Sequence, residues 1–311
     1  MRVVVAVLTA LASLVACTSA AAKAPWSAPA RLDRTIPAEC NLDENLIPAG
    51  CFGEPGTRVA VSPAGRVVVA WADLDFRIKV AVGDRRGHFG RARVLGKGLR
   101  PAVIFDAAGA ALVAWSGPDE LRFARLAPGM SRFGPASRLV APSTKQGDDH
   151  VRLLARPAGG AVAVYESAFR DPRGNYRTRL ASVDLPARGA PAAPQILGRG
   201  GLFGTAATPA GELVVCCQTV DPDPAAQGEP PPTSPRVFFT RRAGGTAWTA
   251  LAHQLPRATS IESIAAGAGI VAVGTVDERN SGDAGTLGVP GVALGPPTGP
   301  FGAVQPAHVR D

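Results

Sequence analysis

Tyr165 and Glu166 are neighbours, and three arginines, Arg77, Arg122 and Arg177, each open a short run with alternating or continuous apolar residues. A phenol next to a carboxylate, with guanidinium groups that could clamp a substrate carboxylate through paired hydrogen bonds, is a set suited to cleaving a glycosidic bond. Such cleavage otherwise needs two carboxylates about 5–9 Å apart. A second candidate is Asp148-Asp149-His150, whose oxygen and nitrogen donors could hold a metal ion. Three adjacent residues rarely all reach one ion, so a polar loop is the favoured explanation. His88, His253 and His308 have no partner spacing. No nucleophile elbow, phosphate-binding loop or dinucleotide fingerprint occurs, and no cofactor is expected.

The chain has five cysteines: Cys17, Cys40, Cys51, Cys216 and Cys217. There is no CxxC and no cysteine–histidine set with zinc-ligand spacing. Cys40 and Cys51 enclose a loop containing Pro48 and Gly50, and a disulfide between them is the favoured pairing in an oxidising compartment. Cys216 and Cys217 sit side by side in an expected strand and point to opposite faces, where small buried hydrophobes serve as well as thiols.

Residues 1–22 have the pattern of an export signal: Arg2, an uncharged apolar run from Val3 to Val15, then small residues. That run is too short to span a bilayer as a helix. Leu14-Val15-Ala16-Cys17 resembles the lipobox of bacterial lipoproteins. The resemblance implies cleavage before Cys17, lipid on its thiol and attachment to the cell membrane, with cleavage after Ala22 and free secretion as the alternative. The net charge of +8 comes almost wholly from Arg, since Lys occurs only at 23, 79, 97 and 145. The longest basic runs are pairs, Arg85-Arg86 and Arg241-Arg242. A nucleic-acid surface shows a denser stripe with interleaved aromatics, so nucleic acid is not an expected partner. Attraction to anionic wall polymers or lipid headgroups competes with plain Arg-rich composition.

The elements that must position these residues are legible as a repeat. Val59-Ala-Val-Ser62-Pro-Ala-Gly65 runs on to Trp71, and Val103-Ile-Phe-Asp106-Ala-Ala-Gly109 runs on to Trp115. Weaker copies lead from Gly159 to Tyr165, from Gly211 to Cys217 and from Gly269 to Thr275. The Gly lies six residues before the terminal position in all five copies, and the steps between them are 44, 50, 52 and 58 residues. A turn at Gly followed by an apolar run predicts a β-hairpin. A third strand opens near each Arg, and a tail follows, as in Phe89-Gly-Arg-Ala-Arg-Val-Leu95 and Phe133-Gly-Pro-Ala-Ser-Arg-Leu139. Four short strands per unit match one blade of a β-propeller. The second strand is continuously apolar, which predicts burial on both faces.

The expected fold is therefore all-β: a propeller of four-stranded blades, with 36 Gly and 29 Pro scattered along the chain and no sustained helical period. Five heads imply five blades, and six tails leave six open. The sixth tail, Trp26-Ser-Ala-Pro-Ala-Arg-Leu32, has no head and predicts that an N-terminal strand closes the ring. The domain reading is a signal over 1–22, a tether, first strand and Cys40–Cys51 loop over 23–58, and repeats over 59–311. Asp221 to Pro235 is a Pro-rich excursion. The carboxylates Asp73, Asp75, Asp119, Glu120, Glu166, Asp171, Asp221, Asp223, Asp277 and Glu278 fall in the loops after the second strands, and predict an acidic rim above the arginines.

On the unit V-x-x-D-x-x-G-x-A-x-V-x-W with F-G-x-P-x-x-L, the chain resembles the secreted repeat propellers of actinobacteria, distantly similar to sialidase-type propellers. The sialidase Asp-box is not reproduced, because Asp106 precedes its Gly by three residues and the Trp follows by six. The resemblance implies a fold and no settled activity. Tyr165 also holds the aromatic position of the repeat, so packing explains it without catalysis. The reading favoured is a non-enzymatic binding module for a protein or glycan at the cell envelope. A sialidase-like glycan hydrolase is the alternative.

Overall fold

The computed structural model describes residues 56–118, 120–140, 150–170, 174, 176–218, 233–256, 259–267, 269–277, 289–297 and 305–306. The chain divides into two units, Met1–Arg31 and Leu32–Asp311, and every described residue lies in the second. Cys17, Cys40 and Cys51 lie outside the described residues, as do Asp119, Asp148, Asp149 and most of the Pro-rich excursion. No described helix is long and apolar enough to cross a membrane.

The described chain is all-β. Twenty strands form five four-stranded antiparallel sheets, each made of four consecutive strands in chain order. The first sheet holds β1 (Arg58–Val61), β2 (Val67–Ala72), β3 (Arg77–Gly83) and β4 (Arg93–Lys97). The second holds β5 (Leu99–Phe105), β6 (Ala111–Ser116), β7 (Leu121–Leu126) and β8 (Ser137–Val140). The third holds β9 (Val151–Ala155), β10 (Ala161–Arg170), β11 (Tyr176–Leu185) and β12 (Gln195–Arg199). The fourth holds β13 (Gly201–Ala207), β14 (Leu213–Gln218), β15 (Thr233–Arg241) and β16 (Thr249–Pro256). The fifth holds β17 (Thr259–Ala266), β18 (Val271–Asp277), β19 (Val289–Gly295) and β20 (Gln305–Pro306). Repeated four-stranded meanders are the blade pattern of β-propellers.

The turn that opens each unit is built the same way. Gly65, Gly109, Gly159, Gly211 and Gly269 have φ of 80°, 80°, 85°, 90° and 71°, a left-handed conformation in which a Cβ is disfavoured. The residue three before the Gly closes the turn. Ser62 Oγ accepts the Arg66 amide at 3.0 Å, Asp106 Oδ1 accepts the Ala110 amide at 2.9 Å, and Thr208 Oγ1 accepts the Glu212 amide at 3.0 Å. The recurring Ser, Asp or Thr is thus a turn cap.

Burial explains the continuous apolarity of the second strands, since in the three middle sheets the two faces of that strand serve two different neighbours. On β6, Ala111, Val113 and Trp115 pack with Val68, Ala70 and Ile78 of the first sheet. Leu112 and Ala114 pack the other way, with Val151, Ala161 and Tyr165 of the third. On β10, Val162 and Val164 pack with Leu213 and Val215 of the fourth. Val214 in turn meets Val271 and Val273 of the fifth. At the start of the series, the face of the first sheet turned away from the second also buries Val69, Trp71 and Ala81. Val59 and Val61 on that face stay 58% and 62% exposed. At the far end Leu294 of β19 is 55% exposed.

Polar contacts staple neighbouring sheets. Asp106 Oδ2 accepts the Gly160 amide at 2.8 Å, tying the opening turn of the second sheet to that of the third. Arg241 grips both carboxylate oxygens of Asp184 at 2.7 and 2.9 Å, joining the fourth sheet to the third. Its guanidinium lies 5.9 Å from the ring centre of Trp248, whose Nε1 donates to Ser182 Oγ at 3.0 Å.

Candidate functional site

The described residues of the expected catalytic set and acidic rim lie on the second and third strands and the loops between them; Glu166, expected in a loop, lies within β10, which runs on to Arg170. Asp73 ends β2 and is buried beneath its own loop. It accepts hydrogen bonds from the amides of Asp75 (3.0 Å) and Arg77 (2.8 Å), from Arg77 Nε (2.8 Å), and lies 3.0 Å from Lys79 Nζ. Burial pushes its pKa up, but the Arg77 amide, Lys79 and the Arg77 guanidinium outweigh that and hold it below 3.8. Arg77 also pairs with Asp75. This arginine is committed to its own loop.

Arg122 is committed likewise. Glu120 lies between Arg122, at 2.6 Å, and Arg138. The hydrogen bond from Arg138 is the main reason its pKa is lowered, with Arg122 adding to it against a desolvation cost. Lys97 and Pro118 complete an open cleft of about 460 Å³ around this group. Arg177 pairs with Phe169 through the β10–β11 ladder; its side chain lies outside the described residues.

Tyr165 is 6% exposed and belongs to the core shared by the second and third sheets. It occupies the place of Trp115, which is fully buried and donates from Nε1 to the Lys97 carbonyl at 3.1 Å. Glu166, the next residue, turns to the other face. Its Oε2 accepts the Leu202 amide of β13 at 2.7 Å, its amide donates to the His150 carbonyl at 3.1 Å, and its Oε1 lies 3.8 Å from His150 Nε2. Arg100, at the start of β5 with φ 50°, lies with Nη1 2.5 Å from the same His150 nitrogen. A guanidinium only donates, so His150 Nε2 accepts there; Asp148 and Asp149, its expected partners at a metal, lie outside the described residues. Arg100, His150, Glu166 and the Leu202 amide thus form one polar line across the second, third and fourth sheets. Among the described residues no group of three or more His, Cys, Asp or Glu is placed to hold a metal ion.

The described side chains of the expected set each have partners of their own. Glu166 faces His150 and β13, Arg77 faces Asp73 and Asp75, and Arg122 faces Glu120. Cys216 and Cys217 lie in β14 opposite Phe238 and Val237. The sequence reading missed Arg100 and the crossing glycines. The crossing segments Leu95-Gly96-Lys97-Gly98 and Leu197-Gly198-Arg199-Gly200 are near-copies, and each second Gly donates its amide back to the third strand, to Phe76 at 2.7 Å and to Thr178 at 3.0 Å. At Gly98 (φ 150°) a Cβ would meet the Ser116 carbonyl oxygen at 2.2 Å and the Trp115 ring at 2.4 Å. The repeated L-G-K/R-G was the available signal.

No protein-family model and no curated protein sequence matches the chain. Solved structures do. A puromycin hydrolase variant complexed with PGG is 16% identical with a TM-score of 0.52, covering 81% of this chain and 39% of its own. This chain therefore spans well under half of that protein, and the likeness is one of fold. The six-bladed β-propeller lectin of Aleuria aurantia is 13% identical, TM-score 0.45, covering 82% and 79%. An α-L-arabinanase of Penicillium chrysogenum is 10% identical, TM-score 0.47, covering 81% of each chain.

Proposed function

We propose that this chain is a non-enzymatic binding module: a β-propeller, exported and held at the cell envelope by a lipid on Cys17, that presents its rim and crevices to a protein or glycan. The observation carrying this reading is that the groups a hydrolase would need are already consumed by the scaffold. Tyr165 is core. The Glu166 carboxylate accepts a backbone amide of the next sheet. Arg77 and Arg122 are paired with carboxylates of their own loops. A clamp for a substrate acid would have to break those pairs first.

The propeller is read as a closed ring of five blades, completed by the N-terminal strand at Trp26–Leu32. An orphan tail motif supports this. So do the apolar side chains at the two ends of the series, Val59 and Val61 on one and Leu294 on the other, since closure would bury both ends and leave no open face.

The test is a glycan and peptide array probed with the processed chain, run beside a panel of chromogenic glycosides. Binding without turnover is expected. Hydrolysis that disappears in Glu166→Gln, a variant that keeps an acceptor for the Leu202 amide, would overturn the reading in favour of a sialidase-like hydrolase.

A further inference from the structure

The crevice between the first and second sheets differs from the equivalent crevice between the third and fourth in the placement of its charges, and that placement points to a ligand. The five opening glycines put the sheets in register. Val82 pairs with Val68, three residues after Gly65, and Asp184 pairs with Val162, three residues after Gly159. Val82 and Asp184 therefore hold the same position in their blades. The tail aromatics Phe133 and Trp248 correspond in the same way.

In the crevice between the third and fourth sheets the protein supplies its own carboxylate. Asp184 is held by Arg241, and Trp248 covers the pair. In the crevice between the first and second sheets that pair is absent, with Val82 in the place of Asp184 and Leu126 in the place of Arg241, and a different set of cations stands there. A cleft of about 260 Å³ opens there. Val80, Val82 and the half-buried Phe133 form its floor, and Arg91, Arg93 and Arg132 stand exposed around it. Among the described residues none of these three arginines has a carboxylate within ion-pair distance, and no acidic residue lines the cleft.

We propose that this cleft binds an acidic sugar residue of a glycan, a uronate-type ring whose carboxylate is taken by Arg91, Arg93 and Arg132. Guanidinium groups match a planar carboxylate with two parallel hydrogen bonds. The apolar floor and the Phe133 ring suit the C–H face of a pyranose, and the space admits about one ring. Three like charges brought together without an internal acid cost the fold electrostatic repulsion, which a bound carboxylate relieves.

The inference rests on the binding-module reading and names a ligand for it. The test is calorimetric titration of the processed chain with a tetragalacturonate, its fully methyl-esterified form, a tetraglutamate and tripolyphosphate. The free acid oligomer is expected to bind, with affinity falling steeply as salt rises. Esterification, and the Arg91→Gln/Arg132→Gln variant, should each weaken it at least about tenfold, or about 1.4 kcal/mol, while the melting temperature holds. Val82→Asp should weaken it as well, by supplying the internal acid. Equal binding of ester and acid, no binding of the acid, preference for tetraglutamate or tripolyphosphate, or full affinity in the double arginine variant would each overturn the inference. A different array ligand bound equally by wild type and the arginine variant would remove the cleft and leave the binding module standing. Turnover of a glycoside would remove the binding-only reading instead.

Discussion

Asp73 and Asp106 show how single carboxylates are used here. Each is buried; Asp73 spends its oxygens on amides and cations of the scaffold, Asp106 on the amides of two turns. Because Asp73 is held below 3.8 in the folded chain, its stabilisation is complete above about pH 4 and drains as pH falls through the lowered value. Melting temperature followed from pH 6 to pH 2 should fall with acid, and Asp73→Asn should flatten part of that slope while costing about 1–3 kcal/mol at neutral pH. A wild-type-like slope in the variant would mean that Asp73 does not contribute to the acid loss. Asp106 closes its own turn and reaches the next sheet, so Asp106→Ala leaves two buried amides without an acceptor. That should cost about 2–4 kcal/mol in urea unfolding, against about 1 for Ser62→Ala, which opens only a local turn.

Between elements, the joints are specific where the core is generic. The Arg241–Asp184 pair is bidentate and almost closed to solvent on the arginine side. Arg241→Ala leaves the acid only the looser contact with Arg156 at 3.9 Å, and should lower stability by about 3 kcal/mol, with Arg241→Lys recovering only part because an ammonium cannot match both oxygens. The crossing from β4 to β5 depends on Gly98, where the chain passes hard against Trp115 and Ser116. Gly98→Ala should shift the Trp115 environment, read as changed near-ultraviolet circular dichroism, together with a loss of stability. Gly129→Ala, at a turn with φ 76° but open space around the Cα, should leave that spectrum unchanged.

Across the described residues, a core lies between each sheet and the next, the second strands of the three middle sheets giving alternate residues to their two neighbours. A linear stack of this kind leaves two apolar ends, and closure into a ring is the arrangement that removes them. If the ring closes, Val59→Lys with Val61→Lys places charges at a buried seam and should lower the melting temperature by about 10 °C or more, with aggregation. An unchanged melting temperature would mean that this end stays in water. Removing 26–32 should have the same effect if that segment completes the last blade.

The period of the repeat, the turn glycines and the unbroken apolar second strands were enough to specify four-stranded antiparallel units, because each is a local consequence of φ preference and strand alternation. Tyr165 as core was legible for the same reason, from its place six residues after Gly159. The fate of the charged residues was not. Whether Glu166 faces a cavity or the amide of Leu202, and whether Asp184 meets Arg241 or water, are settled by which sheets come to lie side by side. Those contacts join residues tens of positions apart, and burial, not spacing, decides which charges the fold must satisfy and which it leaves for a ligand.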